Sequence, residues 1–136
     1  EKDAIIVVGT PRWSQNVDDA ADDPILGYEN LMYTLHFYAG THKEWLRAKG
    51  NYAMSKGLAL FVTECGGMNA DGQGPIDDES TRDWIDWMEA NDISYAFWSI
   101  SDKEETCSML YPTATSEGPW ADEDLRPWGK YVKSQL

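Results

Sequence analysis

Residues 59–67 read ALFVTECGG. The first five, Ala59 to Thr63, form an unbroken apolar and β-branched run, the pattern of a strand buried on both faces. Glu64 then interrupts it, followed at once by a cysteine and two glycines. A carboxylate at the tip of an apolar strand is costly to desolvate unless something holds it. The stretch therefore points to a parallel sheet whose carboxyl end carries chemistry.

Three further runs of the same kind lie at Ile5–Val8, Met32–Tyr38 and Ser94–Ile100. They recur roughly every 30 residues, the spacing of strand–helix units. Between them, Thr41 is predicted to cap a helix, with Glu44 completing a capping box. Trp45, Leu46, Tyr52 and Ala53 form its apolar stripe, and Gly57 ends it. Gly50 inside this helix costs roughly 1 kcal/mol relative to alanine. A second helix is predicted over about Glu79 to Asn91, with Trp84, Ile85, Trp87 and Met88 inward. A third runs over about Asp124 to Gln135, with Pro127 in its first turn. The acidic segment Asp18 to Asn30, with Pro24 and Gly27, holds at most a short helix. Buried strands separated by helices pair in parallel. Four such units fit either a small doubly wound α/β sheet or half of an eight-fold β/α barrel.

The chain of 136 residues suffices for a single domain, 1–136, and 42% hydrophobic residues can supply its core. Twenty-four acids against 11 bases give a net charge of −13, which argues against nucleic acid as a partner. The same balance suits an extracellular surface, and secretion is the expectation. No stretch approaches the ~20 apolar residues of a membrane span. The first residue is Glu1 rather than methionine, which leaves room for an upstream segment. The two cysteines, Cys65 and Cys107, make neither a disulfide framework nor a metal-ligand spacing. No glycine-rich phosphate loop follows a strand, so nucleotide binding is disfavoured. No metal and no cofactor are expected. Seven tryptophans and seven tyrosines exceed the ordinary needs of a small core, and indole faces stack on pyranose rings.

In either fold the site lies at the carboxyl ends of the strands. The first end reads GTPRWSQ, with Trp13. The second reads LHFYAGTH, with His36 and Tyr38. The third carries Glu64, and the fourth reads FWSISDKEE, with Trp98, Lys103 and Glu105. One face thus gathers a carboxylate, an imidazole, a phenol, two indoles and an ammonium group. Each residue also has a plainer reading when taken alone. Glu64 caps a helix; His36, Tyr38 and Trp98 fill the core; Trp13 lies on the surface or in the core; Lys103 and Glu105 belong to a solvated charge run.

Taken together, MYTLHFYAGTHKEWLR, VTECGG, FWSISDKEET and GTPRWSQNVDDAADDP resemble glycoside hydrolase family 5, in particular its bacterial endo-β-1,4-glucanases. The resemblance runs in order from about residue 5 to the C-terminus. It implies half of a (β/α)8 barrel, four units equivalent to strands five to eight, and retaining hydrolysis of β-glucan. It also implies Glu64 as nucleophile, His36 and Tyr38 as the pair that orders the catalytic centre, and Trp13, Trp98, Lys103 and Glu105 as glucan contacts. The family often has an aromatic after the nucleophile, where this chain has Cys65. The acid/base carboxylate belongs to the family's strand four, which has no counterpart here. Asp102, Glu104 and Glu105 lie on the loop of the fourth strand and are not natural substitutes. A lone half-barrel has two unpaired edges and should seek a second half. That half is either a second copy or the family's N-terminal half. A two-fold dimer would set two Glu64 residues on opposite sides, too far apart for a retaining pair. The alternative function is therefore a non-catalytic, self-associating half-barrel that at most binds glucan. Cys65 and Cys107 both follow strand-end motifs on adjacent strands, which would set them close enough to bridge.

Overall fold

A computed structural model describes residues 4–135. Strands β1 (Ile6–Val8), β2 (Leu31–Tyr38), β3 (Leu60–Gly66) and β4 (Tyr95–Phe97) form one sheet. All neighbours pair in parallel, in the order β1-β2-β3-β4. A doubly wound sheet reverses its strand order at a switch point. This one does not, and it takes the sequential order of a β/α barrel. A single turn, α1 (Pro11–Ser14), and a short helix, α2 (Val17–Asp22), follow β1. Helices α3 (Glu44–Ser55), α4 (Asp78–Ala90) and α5 (Pro127–Gln135) follow the next three strands, α5 after a 3₁₀ turn at Asp122–Asp124.

The helices cover one face of the sheet. Leu35 and Phe37 of β2 and Val62 of β3 are buried there with Val17, Leu46, Ala53, Trp84 and Met88. Phe37 and Trp84 stack with ring centroids 3.9 Å apart. A second cluster under α5 joins Met68, Cys107, Met109, Trp128 and Val132. Along β2 the alternate residues Thr34, His36 and Tyr38 face the opposite side, as period-two geometry requires.

The described helices start and stop for local reasons. Gly57, at φ +89°, ends α3. Its N–H donates to Met54 O, and Leu58 N–H donates to Ala53 O, the paired bonds of a Schellman turn. Pro127 opens α5 at its first position, where no backbone N–H is required. Asp77 caps α4 by accepting from Ser80 N–H at 3.0 Å.

Several local expectations are corrected. Lys43, not Thr41, is the N-cap of α3. Thr41 Oγ1 instead accepts from Ala70 N–H at 2.9 Å, which ties the loop after β3 to the end of β2. The inward stripe of α3 is Leu46, Arg47, Gly50 and Ala53, while Trp45 and Tyr52 point outward. The third strand runs on through Glu64 to Gly66, and the fourth stops at Phe97, before a cis Trp98–Ser99 peptide. Cys65 and Cys107 are both buried and free, so no bridge forms. Cys65 Sγ lies against Ala96 O at 3.5 Å, and burial pushes its thiol pKa up, so it stays a protonated packing group.

Gly50 is a helix interior glycine with a packing reason. A Cβ there would meet the Trp87 ring at 2.6 Å. Helix propensity alone predicts that Gly50→Ala stabilises by about 1 kcal/mol. Overpacking of this size costs about 1–3 kcal/mol, so the substitution is expected to be net destabilising. A urea midpoint for Gly50→Ala at or above wild type would contradict this.

Both sheet edges are unpaired among the described residues. Ile5, Ile6 and Val7 along β1, and Trp98 and Ile100 beyond β4, are exposed large apolar side chains. An open parallel sheet with apolar edges is the shape of half a barrel.

Candidate active site

The position of Glu64 depends on a bulge. Against β2, Thr34 pairs with Phe61 and His36 with Glu64; against β4, Val62 pairs with Tyr95 and Cys65 with Phe97. Each neighbour advances two residues while β3 advances three. One extra residue therefore sits between Val62 and Glu64. Strict alternation would send Glu64 to the helix side with Val62, which is 0% exposed. The bulge turns it instead to the side of His36 and Tyr38, one recurrent use of bulges beside active sites. Thr63 and Glu64 now both face His36. His36 Nε2 is 2.8 Å from Thr63 Oγ1, and His36 Nδ1 is 3.7 Å from Glu64 Oε2.

Tyr38 holds the carboxylate. Its hydroxyl donates to Glu64 Oε1 at 2.7 Å. Burial, then the hydrogen bond to Glu64, drive the Tyr38 pKa far above its ordinary value. The phenol therefore stays protonated and remains a hydrogen-bond donor to the Glu64 side chain. His36 is lowered by burial, against the opposing pull of Glu64, and so is biased toward the neutral ring.

These groups line a cleft of about 580 Å³ whose walls include Trp13, Gln15, His36, Tyr38, His42 and Glu64. Trp13 is 83% exposed and is presented by α1. Arg12, Trp13 and Ser14 all have positive φ, at 54°, 54° and 61°. Non-glycine residues in this region cost roughly 1–3 kcal/mol each and persist only where surroundings enforce them. Thr10 Oγ1 donates to Thr34 O at 2.9 Å, and the Ser14 hydroxyl bonds Thr34 Oγ1, so the turn is pinned to β2 beneath the cleft.

His42, Thr10, Ser14, Gln15 and Ala70 also line the cleft and were not singled out from sequence. His42 lies in the quoted LHFYAGTH, so its strand-end position was the available signal. Its Nδ1 accepts Tyr38 N–H at 2.8 Å, and its carbonyl accepts Trp84 Nε1–H at 2.8 Å. A protonated ring could not accept that first bond. Burial accordingly lowers the His42 pKa, as it does for His36. Unfolded histidine titrates near pH 6.5, so the unfolded chain binds more protons between the lowered folded values and about 6.5. Stability is thus expected to be unaffected by these groups above about pH 6.5 and to fall as pH is lowered through that window. Asp77, whose pKa is lowered by its bond to Lys43, adds its own loss only in more acidic solution. Urea midpoints at pH 7.5 and 5.5 check the sign, and His42→Gln, which keeps an acceptor, should flatten part of the slope.

The remaining sequence-selected residues lie outside this cleft's lining. Trp98 is 45% exposed beyond β4, its N–H donating to Cys65 O at 2.8 Å and its carbonyl accepting Trp128 Nε1–H at 2.7 Å. Lys103 is largely exposed, with Nζ 3.9 Å from Glu105 Oε1. Burial and a hydrogen bond to Glu105 raise the Cys107 thiol pKa to about 11. Among the described residues, Glu64 is the single carboxylate lining the cleft. No cluster that could hold a metal ion occurs among them. No described helix is long and apolar enough to cross a membrane.

A family model described as Cellulase (glycosyl hydrolase family 5) matches residues 1–104. The chain belongs to glycoside hydrolase family 5. An endoglucanase of Clostridium saccharobutylicum is 51% identical over 97% of this family 5 chain, which covers 29% of that protein. Endoglucanase Z of Dickeya dadantii is 48% identical over 98% of the chain, again covering 29%. The chain thus spans less than a third of the length of these curated relatives. A solved structure from Cytophaga hutchinsonii is 51% identical, with a TM-score of 0.93 over 96% of this chain and 42% of that one. The catalytic domain of Thermobifida fusca endoglucanase Cel5A is 31% identical, with a TM-score of 0.88 over 98% of this chain and 46% of that one. The same domain has been solved with cellotetraose. These family 5 structures are (β/α)8 barrels, and this chain corresponds to half of one.

Proposed function

We propose that this chain supplies the nucleophile half of a retaining endo-β-1,4-glucanase site. The observation that carries the reading is the bulged placement of Glu64, with Oε1 held by Tyr38 and Oε2 directed toward the cleft and His36. In this reading Oε2 attacks the anomeric carbon of a bound glucose unit as the glycosidic C–O bond breaks. The leaving oxygen takes a proton from a second carboxylic acid. Water then displaces Glu64, returning its proton to that second carboxylate. Retaining enzymes keep the two carboxyl groups about 5–5.5 Å apart. The second is proposed to come from a complementary half-barrel docked along the open edges of β1 and β4. Glucan contacts by Trp13, Trp98, Lys103 and Glu105, and secretion to reach a polymeric substrate, belong to the same proposal.

One leaving group does not need that acid. A 2,4-dinitrophenyl 2-deoxy-2-fluoro-β-cellobioside should glycosylate the nucleophile of the completed barrel and add one fluorocellobiosyl mass to the peptide holding Glu64. Labelling elsewhere, or none, would sink the assignment. The second reading, a half-barrel that only binds glucan, is favoured by the lone carboxylate in the cleft. It predicts oligosaccharide binding with no adduct and no hydrolysis after the complementary half is supplied.

A further inference from the structure

The seven tryptophans divide by what their indole N–H does. Trp84, Trp87, Trp120 and Trp128 each donate to a named acceptor: His42 O, Asn51 Oδ1, Thr115 O and Trp98 O. The indole N–H groups of Trp13, Trp45 and Trp98 have no acceptor among the described residues, and these side chains are 83%, 49% and 45% exposed. Trp84 and Trp128 are fully buried, and Trp87 and Trp120 are half-buried, so the indole bonds of these four tie them into the structure. Trp13 and Trp98 are already read as sugar contacts. Trp45 is the one member of the exposed set with no role.

Its placement supplies one. Trp45 lies in the first turn of α3, at the carboxyl end of the sheet where the cleft opens. The core does not use it, because Leu46 and Arg47 take the buried side of that turn. Its ring meets His42 edge-on, with centroids 5.7 Å apart, and His42 lines the cleft. One turn further on, Lys49 Nζ reaches Asn16 Oδ1 and Asp18 Oδ1, both at 3.0 Å. Residues four apart share a helix face. Trp45 therefore rises on the side of α3 that faces the segment after Trp13 and Gln15, which line the same cleft.

We infer that Trp45 is a sugar-stacking platform at the mouth of the cleft, engaging the part of a β-glucan chain that extends past Trp13 and His42. The inference rests on the glucan reading of the cleft and adds to it a determinant of chain-length preference. An exposed ring fixed by His42 presents a flat apolar face at small entropic cost, since few rotamers are lost on binding.

Calorimetric titration of the full chain with cellotriose and cellohexaose tests it. Wild type should bind cellohexaose more tightly than cellotriose. Trp45→Ala should reduce the cellohexaose affinity by about tenfold, the scale of one good aromatic contact, and leave cellotriose unchanged. Trp45→Phe should recover most of the loss. Equal weakening on both ligands would assign Trp45 to propping His42 and overturn the platform. Unchanged binding of both would overturn the platform alone and leave the glucan reading standing. No binding of either ligand by wild type would overturn both.

Discussion

Glu64→Gln is expected to reduce hydrolysis of carboxymethyl-cellulose by the completed barrel by about 10⁴-fold or more, the scale of losing a covalent nucleophile. The completed barrel means this chain assembled with the first-half strands of a family 5 relative. Glutamine keeps the volume of the side chain, and its carbonyl can still accept from the Tyr38 hydroxyl that now bonds Oε1. The loss should therefore appear in kcat with little change in the urea midpoint. Tyr38→Phe removes the donor and leaves the carboxylate; a deficit of about 10–100-fold is expected, since a hydrogen bond to a charged group contributes about 1.5–3 kcal/mol. A distinct signature separates nucleophile from bystander. Glu64→Ala with a dinitrophenyl cellobioside and azide should regain turnover and release the α-glycosyl azide, because azide enters from the face that Glu64 leaves empty. Retention of more than about a hundredth of wild-type activity by Glu64→Gln would remove the glutamate from the chemistry.

Much of this was legible from residues, and the exceptions have physical causes. The four strands declare themselves as β-rich apolar runs, and Gly57 and Pro127 punctuate helices for conformational reasons that a sequence displays. Trp84 and Met88 also lie inward as helical spacing requires. The bulge at Thr63 is different. It is detectable only as a break in period-two alternation, and a strand apolar on both faces has no alternation to break. The strand-end position of Glu64 was readable, but the device that aims it was not. The same holds for the turn at Arg12–Ser14, where three residues other than glycine adopt positive φ. Tertiary bonds to Thr34 hold it there, against local preference. On α3, hydrophobicity favoured Trp45 and Tyr52 as inward residues. The true inward stripe contains Gly50, because the Trp87 ring fills the space where a side chain would sit. The large exposed indole and the small buried glycine reverse the usual rule, one for surface availability and the other for packing.

Trp84→Ala is the substitution expected to cost most stability, about 3–5 kcal/mol, the range for removing a fully buried large aromatic. The ring is 0% exposed, stacks on Phe37 and meets Trp87 edge-on with centroids 5.4 Å apart. Arg47 lies over it at 5.3 Å. A domain of this size has a total stability of about 5–15 kcal/mol, so the variant would sit near the edge of folding. The effect should also reach the site. Trp84 Nε1–H donates to His42 O, and His42 Nδ1 accepts from Tyr38 N–H. Tyr38 in turn holds Glu64. Trp84→Phe isolates the polar link, because it keeps most of the stack and deletes the donor to a buried carbonyl. It should cost about 1–3 kcal/mol. Urea unfolding at pH 7.5 with unchanged m-values resolves the two variants. If Trp84→Phe proves as harmful as Trp84→Ala, the bond to His42 outweighs the packing. If Trp84→Ala costs less than about 1 kcal/mol, the stack on Phe37 is not the centre of the core.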